Sequence, residues 1–179
     1  MHKLLLIFLA LALGGNSDKT KEISKTTTGT KIQTDMLIGE FEPEELKEEP
    51  YAGWFNSVYD DYTPEEKALQ TIDENISDYE ITVFMGTWCG DSKRETPKLL
   101  KILEETGYDM DKFTIIGVNH SKSTPGNMEE EFQVHRVPTI IFSKNGKEVN
   151  RFVEYAQQSL AKDIAKIVSG KDYSNSYAK

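Results

Sequence analysis

Apolar and polar positions change period several times along this chain. Ala68, Leu69 and Ile72 fall on one side of a helical repeat that Ile76 extends. Thr63 can cap this segment, Pro64 suits the first helical position, and Glu65 and Glu66 complement a helix N-terminus, which predicts a helix from Pro64 to Asn75. The run "EITVFMG" is β-branched and apolar and predicts a buried strand from Ile81 to Met85. In "KRETPKLLKILEETG", Leu99, Leu100, Ile102 and Leu103 return to helical spacing, with a kink expected at Pro97 and a stop at Gly107. "KFTIIGVNH" predicts a strand from Phe113 to Val118, and "GNMEEEFQV" a short helix. "PTIIFSKNGKEVNRFV" reads as two strands joined by Asn145-Gly146, a strong hairpin signal. "AQQSLAKDIAKIVSG" is an amphipathic helix ending at Gly170.

The order is therefore helix, strand, helix, strand, helix, strand, strand, helix. Strands that alternate with helices run parallel, and a tight hairpin is antiparallel. The expected fold class is α/β, a central mixed β-sheet with helices on both faces, plus an N-terminal extension. Residues 36–62 carry Met36, Leu37, Phe41, Tyr51, Trp54, Phe55 and Tyr59, and are expected to cover one flank of a domain spanning 36–172. Residues 173–179 read as a C-terminal tail. Residues 16–35 are rich in Lys, Thr and Ser and read as a flexible linker.

Residues 1–15 change the picture of where the chain works. His2 and Lys3 precede an apolar run from Leu4 to Leu13; Ala10-Leu11-Ala12 fits a small-x-small cleavage pattern, and Ala12-Leu13-Gly14 is a second candidate. The run is shorter than the roughly 20 residues a spanning helix needs. A signal peptide is expected, and with it an exported protein, periplasmic or secreted, with no stable membrane insertion after cleavage. "LALGGN" is lipobox-like, but Asn16 stands where a lipid-bearing cysteine would be. The formal charge of −9 argues against nucleic acid and anionic membranes as partners. Three scattered histidines and one cysteine form no metal spacing, and no cofactor is expected.

Cys89 is the single cysteine, so no intramolecular disulfide can form. In an exported protein an odd thiol is either reactive or pairs between chains, including a Cys89-linked dimer, whereas a small buried hydrophobe is the bland alternative. The stretch "TWCGDSK" places Cys89 at the start of the predicted helix. There a sulfur faces unpaired backbone N–H groups and the positive end of the helix dipole, both of which favour thiolate over thiol. Gly90 is expected to let the turn form, Ser92 to donate its hydroxyl hydrogen to the Cys89 sulfur, Trp88 to wall the sulfur, and Asp91 to cap the helix. Lys93, Arg94 and Glu95 read as a solvated face. His135 reads as an exposed histidine, with a proton carrier at the site rim as the alternative.

From Ile81 to Ile167 the chain resembles the thioredoxin family. The likeness is carried by "TWCGDSKRETPKLL", with Pro97 at the family's kinking proline, and by "FQVHRVPTIIFSKNGKEV", which is similar to the family's cis-proline stretch and hairpin. The longer leading segment is similar to exported bacterial thioredoxin-like proteins. The resemblance implies a thioredoxin fold, a cis Val137–Pro138 bond, and substrate contacts at Trp88, Gly90, Asp91, Val137, Pro138 and Thr139. It implies that the carbonyl of Arg136 and the backbone of Val137 are free to pair with an extended substrate.

Two departures stand out. Ser92 replaces the resolving cysteine, and Val83 stands where many thioredoxins bury an aspartate. The implied activity is thiol–disulfide exchange with protein or small-molecule thiols and disulfides, with Cys89 and Ser92 as the catalytic pair and resolution by an external thiol. The alternative is a non-catalytic protein-binding module on the same fold. A glutathione-linked monothiol site of the glutaredoxin kind is a third reading, disfavoured by the Val-Pro-Thr context.

Overall fold

The structure, a computed structural model, describes residues 36–178. The expected signal peptide and linker, and Lys179, lie outside the described residues.

Strand β2 (Glu80–Met85) is central in a five-stranded sheet of order β1-β3-β2-β4-β5. Its alternation explains why both faces are covered. Ile81, Val83 and Met85 join one apolar cluster, while Phe84 joins a second with Ile116, Val118, Val137 and Ile141. β3 (Phe113–Gly117) runs parallel to β2, with Val83 opposite Ile115. β4 (Thr139–Lys144) runs antiparallel on the other side, with Val83 opposite Ile140. β5 (Lys147–Val153) follows through Asn145 and Gly146, at φ 53° and 70°. Two positive φ angles are what a two-residue hairpin turn of the primed type requires.

The extension supplies an edge strand and a helix. β1 (Gly39–Phe41) pairs antiparallel with β3, Gly39 opposite Gly117. Helix α1 (Ala52–Asp61) lies along α3 (Gly90–Glu105). Phe55 is buried between them and stacks on Tyr59 at 5.6 Å. The Lys101 ammonium donates to the Tyr59 carbonyl at 2.9 Å, and the Tyr59 hydroxyl donates to Glu104. The flank expected of residues 36–62 is thus an ordered part of the larger core.

Helix α2 covers Glu66–Asp73, shorter than the predicted Pro64–Asn75. Thr63 is not its cap. Glu65 holds the N-cap position, its carbonyl accepting from the Ala68 and Leu69 N–H groups at 2.9 Å, but its side chain makes no cap bond, because the carboxylate accepts from Ser159 Oγ at 3.0 Å and pairs with Lys162 at 3.0 Å. A tertiary contact to α5 (Leu160–Val168) outweighs the local cap. α3 runs through Pro97, whose missing N–H leaves the Lys93 carbonyl without its helical donor. α4 is one turn, Met128–Glu131, packed over the smaller cluster. Among the described residues no helix is long and apolar enough to cross a membrane.

Truncating Phe55 tests whether the extension is integral to the domain. Phe55→Ala should cost about 3–5 kcal/mol, the range for emptying a buried aromatic site, read by urea denaturation. A cost within experimental error would make α1 a loosely attached appendage.

Candidate active site

The turn between β2 and α3 is short, buried at Gly86 and Thr87 and open to solvent toward Cys89 and Gly90. Cys89 is the N-cap of α3 with extended backbone, and its carbonyl accepts the first helical bond from Lys93 N–H at 3.0 Å. The Cys89 N–H donates to the Gly86 carbonyl at 2.9 Å. Ser92 is fully buried, and its Oγ accepts the Gly86 N–H at 3.1 Å. Trp88 folds back over Gly86, where an added Cβ would sit 2.7 Å from the indole. A side chain at 86 would push the ring away, so glycine is required there. The indole N–H donates to the Val118 carbonyl at 3.0 Å, and His120 stacks on the ring at 4.7 Å. Parallel pairing of β2 with β3 puts the ends of both strands side by side, so Trp88 meets Val118 and His120.

The sulfur faces a second loop. Val137–Pro138 is a cis peptide bond, and the Cys89 thiol donates to the Val137 carbonyl at 3.3 Å. Cys89 and Trp88 are half-buried against Val137 and Val134. Thr139 is buried, and its hydroxyl donates to the Arg136 carbonyl at 2.7 Å.

Several expectations for individual residues change. Ser92 does not donate to the sulfur; its oxygen is bonded to the Gly86 amide on the buried side of the turn. Asp91 forms no cap bond; its carboxylate pairs with Arg94 at 2.7 Å. It still sits in the first turn of α3, where negative charge is favourable. Gly90 is exposed with open space around a Cβ, so sterics do not demand glycine there. Glu95 is not solvated. It is 3 % exposed and pairs with Arg94 at 2.6 Å and Lys98 at 3.4 Å. The carbonyls of Arg136 and Val137 both have donors, which leaves the Val137 N–H as the open group on that loop. The side chains of Val137, Pro138 and Thr139 are buried, so only backbone is on offer there. His135 is exposed. No group of three or more ligating side chains suited to a metal occurs among the described residues.

The Thioredoxin family model matches residues 65–166, more than half of the chain. The chain belongs to the thioredoxin family. Thioredoxin from Listeria monocytogenes is 33 % identical over 75 residues, covering 42 % of this chain and 68 % of that one. Thioredoxin from Chlamydia trachomatis is 36 % identical over 84 residues, covering 46 % and 76 %. Among solved structures, Fasciola hepatica thioredoxin is 25 % identical, covers 54 % of this chain and 88 % of that one, and has a TM-score of 0.38. The matched residues include the Cys89 turn and the cis-proline loop but omit β1 and α1. Within this thioredoxin-family site, Val83 is fully buried among apolar neighbours, so position 83 offers no carboxylate beneath the turn.

Two substitutions separate structural from permissive positions. Ser92→Ala leaves a buried amide without a partner and should cost about 1–3 kcal/mol. Gly90→Ala should instead stabilise by about 0.4–1 kcal/mol, since the backbone there suits alanine. Both are read from urea unfolding, and a neutral Ser92→Ala would remove the structural role assigned to its hydroxyl.

Proposed function

We propose that this protein is a thiol–disulfide exchange protein acting outside the cytoplasm, with Cys89 as a lone nucleophile. The observation that carries this reading is the placement of the half-exposed Cys89 sulfur between two polar settings. On one side is the Val137 carbonyl, which takes the thiol proton in a hydrogen bond. On the other are the first backbone N–H groups of α3, which have no side-chain cap. A carbonyl accepts only from the protonated sulfur. The positive end of the α3 dipole favours negative charge beside the N-cap.

The step then follows ordinary exchange. The Cys89 thiolate attacks one sulfur of a substrate disulfide, forming a Cys89–substrate disulfide, and the second substrate sulfur leaves as a thiolate that takes a proton from water. One disulfide is lost and one formed in this step, and the same holds when an external thiol attacks the mixed disulfide. That thiol is then joined to one of its two sulfurs, and the other leaves. Ser92 cannot perform this second attack, because it has no thiol and its oxygen is bound to Gly86. The adduct therefore persists until a small-molecule or protein thiol arrives. A substrate backbone lying along the Val137 N–H would hold the disulfide in line with the sulfur, as in strand addition. Two chains joined through Cys89 would be the same chemistry with a second copy as the partner.

Export rests on the leader-like residues 1–15.

The test is intact-mass analysis after mixing the reduced protein with a peptide disulfide. A one-to-one adduct on Cys89 should accumulate, survive removal of free peptide, and be released by added glutathione. No adduct with the parent protein would leave the non-catalytic binding module as the better reading. Export is tested by N-terminal sequencing of protein from cell fractions. A mature chain recovered outside the cytoplasm and starting after residue 12 is expected, and an intact Met1 in the cytoplasm would contradict it.

A further inference from the structure

The loop that offers the Val137 N–H is held from both sides. Its inner side is bonded to Cys89 and Thr139, as described above. Its outer side is held by Glu154, the first residue after β5. Glu154 has φ 59°, in the left-handed region, and its N–H donates to the Pro138 carbonyl at 2.8 Å. Its carboxylate pairs with Arg136 at 3.4 Å and accepts from the Tyr177 hydroxyl. The Arg136 guanidinium lies over the Tyr177 ring at 3.9 Å.

Tyr177 reaches this loop because the segment after α5 returns across the domain. Tyr173 is buried, its carbonyl accepts from Asn150 Nδ2 at 3.1 Å, and its hydroxyl donates to the buried Asp163 at 3.4 Å. The Gln157 side chain donates to the Ser174 carbonyl, and Ser176 Oγ donates to the Tyr155 carbonyl at 2.9 Å. The Tyr177 and Tyr155 rings then meet edge to face at 5.9 Å.

Tyr155 and Tyr177 are 46 % and 37 % exposed, and are two of the four exposed large hydrophobic side chains among the described residues. Tyr177 stands beside Arg136, the residue that precedes Val137, and Tyr155 stands against Tyr177. Tyrosine and arginine are the side-chain types that dominate binding hot spots. The Arg136 charge is balanced by Glu154, so this lip presents flat aromatic surface without net charge. It fits an aromatic side chain better than an acidic or basic one.

We propose that Tyr177 and Tyr155, brought together by residues 171–178, form a specificity subsite for an aromatic residue flanking the cysteine of an extended substrate peptide. This rests on the exchange reading above. The substrate backbone lies along Val137, and its neighbouring side chain meets the tyrosine lip.

The experiment measures second-order rate constants for three disulfides with the full chain. One is dithiodipyridine, which is too small to need the lip. The others are two peptides differing only in Tyr or Ala beside a thiopyridyl-activated cysteine. The parent protein should prefer the tyrosine peptide by about fivefold, the ratio that an aromatic contact of ordinary strength gives. Tyr177→Ala should abolish that preference with the dithiodipyridine rate unchanged, and Tyr177→Phe, which keeps the ring, should retain most of it. A reactive parent with no preference overturns the inference alone. So does a Tyr177→Ala protein that keeps the preference, or one that slows equally toward all three reagents. A parent inert to all three overturns the exchange reading and this inference with it.

Discussion

The Ser92 hydroxyl accepts the Gly86 amide proton at 3.1 Å, inside the turn that joins the central strand to the helix bearing Cys89. The hydroxyl and its helix position are buried, and the amide has no other acceptor. Losing this bond would strand a polar group in the interior, which is costlier than the bond's net contribution suggests. With it in place, β2 delivers the chain to a fixed point and α3 starts in a fixed direction. Trp88 can then fold over Gly86, and the Cys89 sulfur meets the cis-proline loop. Ser92 thus offers no second thiol and serves the turn as a structural acceptor.

The two sides of the sheet divide the work. The larger cluster, containing α1, α2, α3 and α5, holds the scaffold. The smaller cluster holds Trp88 and Cys89 at its margin, with Val137 and Val134 behind them. The extension contributes to the first and leaves the second open. It braces α3 at several points along its length, from Lys93 over Trp54 at 5.7 Å to the Tyr59 and Glu104 contact. A helix so braced keeps its N-terminus, and Cys89 at its N-cap, in a fixed position.

Most of the fold was legible because it is written in periodicity. β2, β3, the hairpin and α5 follow from runs and turn residues, and the hairpin glycine sits at positive φ as its signal demands. α2 was overread at its start, since Glu65 is drawn to Ser159 and Lys162, far along the chain. β1 is three residues long and its pairing is with β3, so no local pattern marks it. At the site, the positions of Cys89, Trp88 and Pro138 were readable from local motifs. The direction of each hydrogen bond was not, because Ser92, Asp91 and Val137 each had more than one chemically sensible partner. Glu95 looked solvated because burial of a charge by its own helix neighbours leaves no mark in composition. Glu154 and Tyr177 left no signal at all, since their meeting with Arg136 depends on how the segment after α5 returns. The proximity of His120 to Trp88 could have been found from the parallel pairing of β2 and β3.

The central claim is that the folded turn makes the Cys89 sulfur a better nucleophile than the same residue would be in an open chain. The most direct measurement compares the rate of Cys89 with dithiodipyridine at neutral pH in the native protein and in the same protein unfolded in urea. A native rate clearly above the unfolded one is predicted, because only in the fold does Cys89 stand at the N-terminus of α3. A native rate equal to or below the unfolded rate would mean that the fold shields this thiol, and would contradict the account.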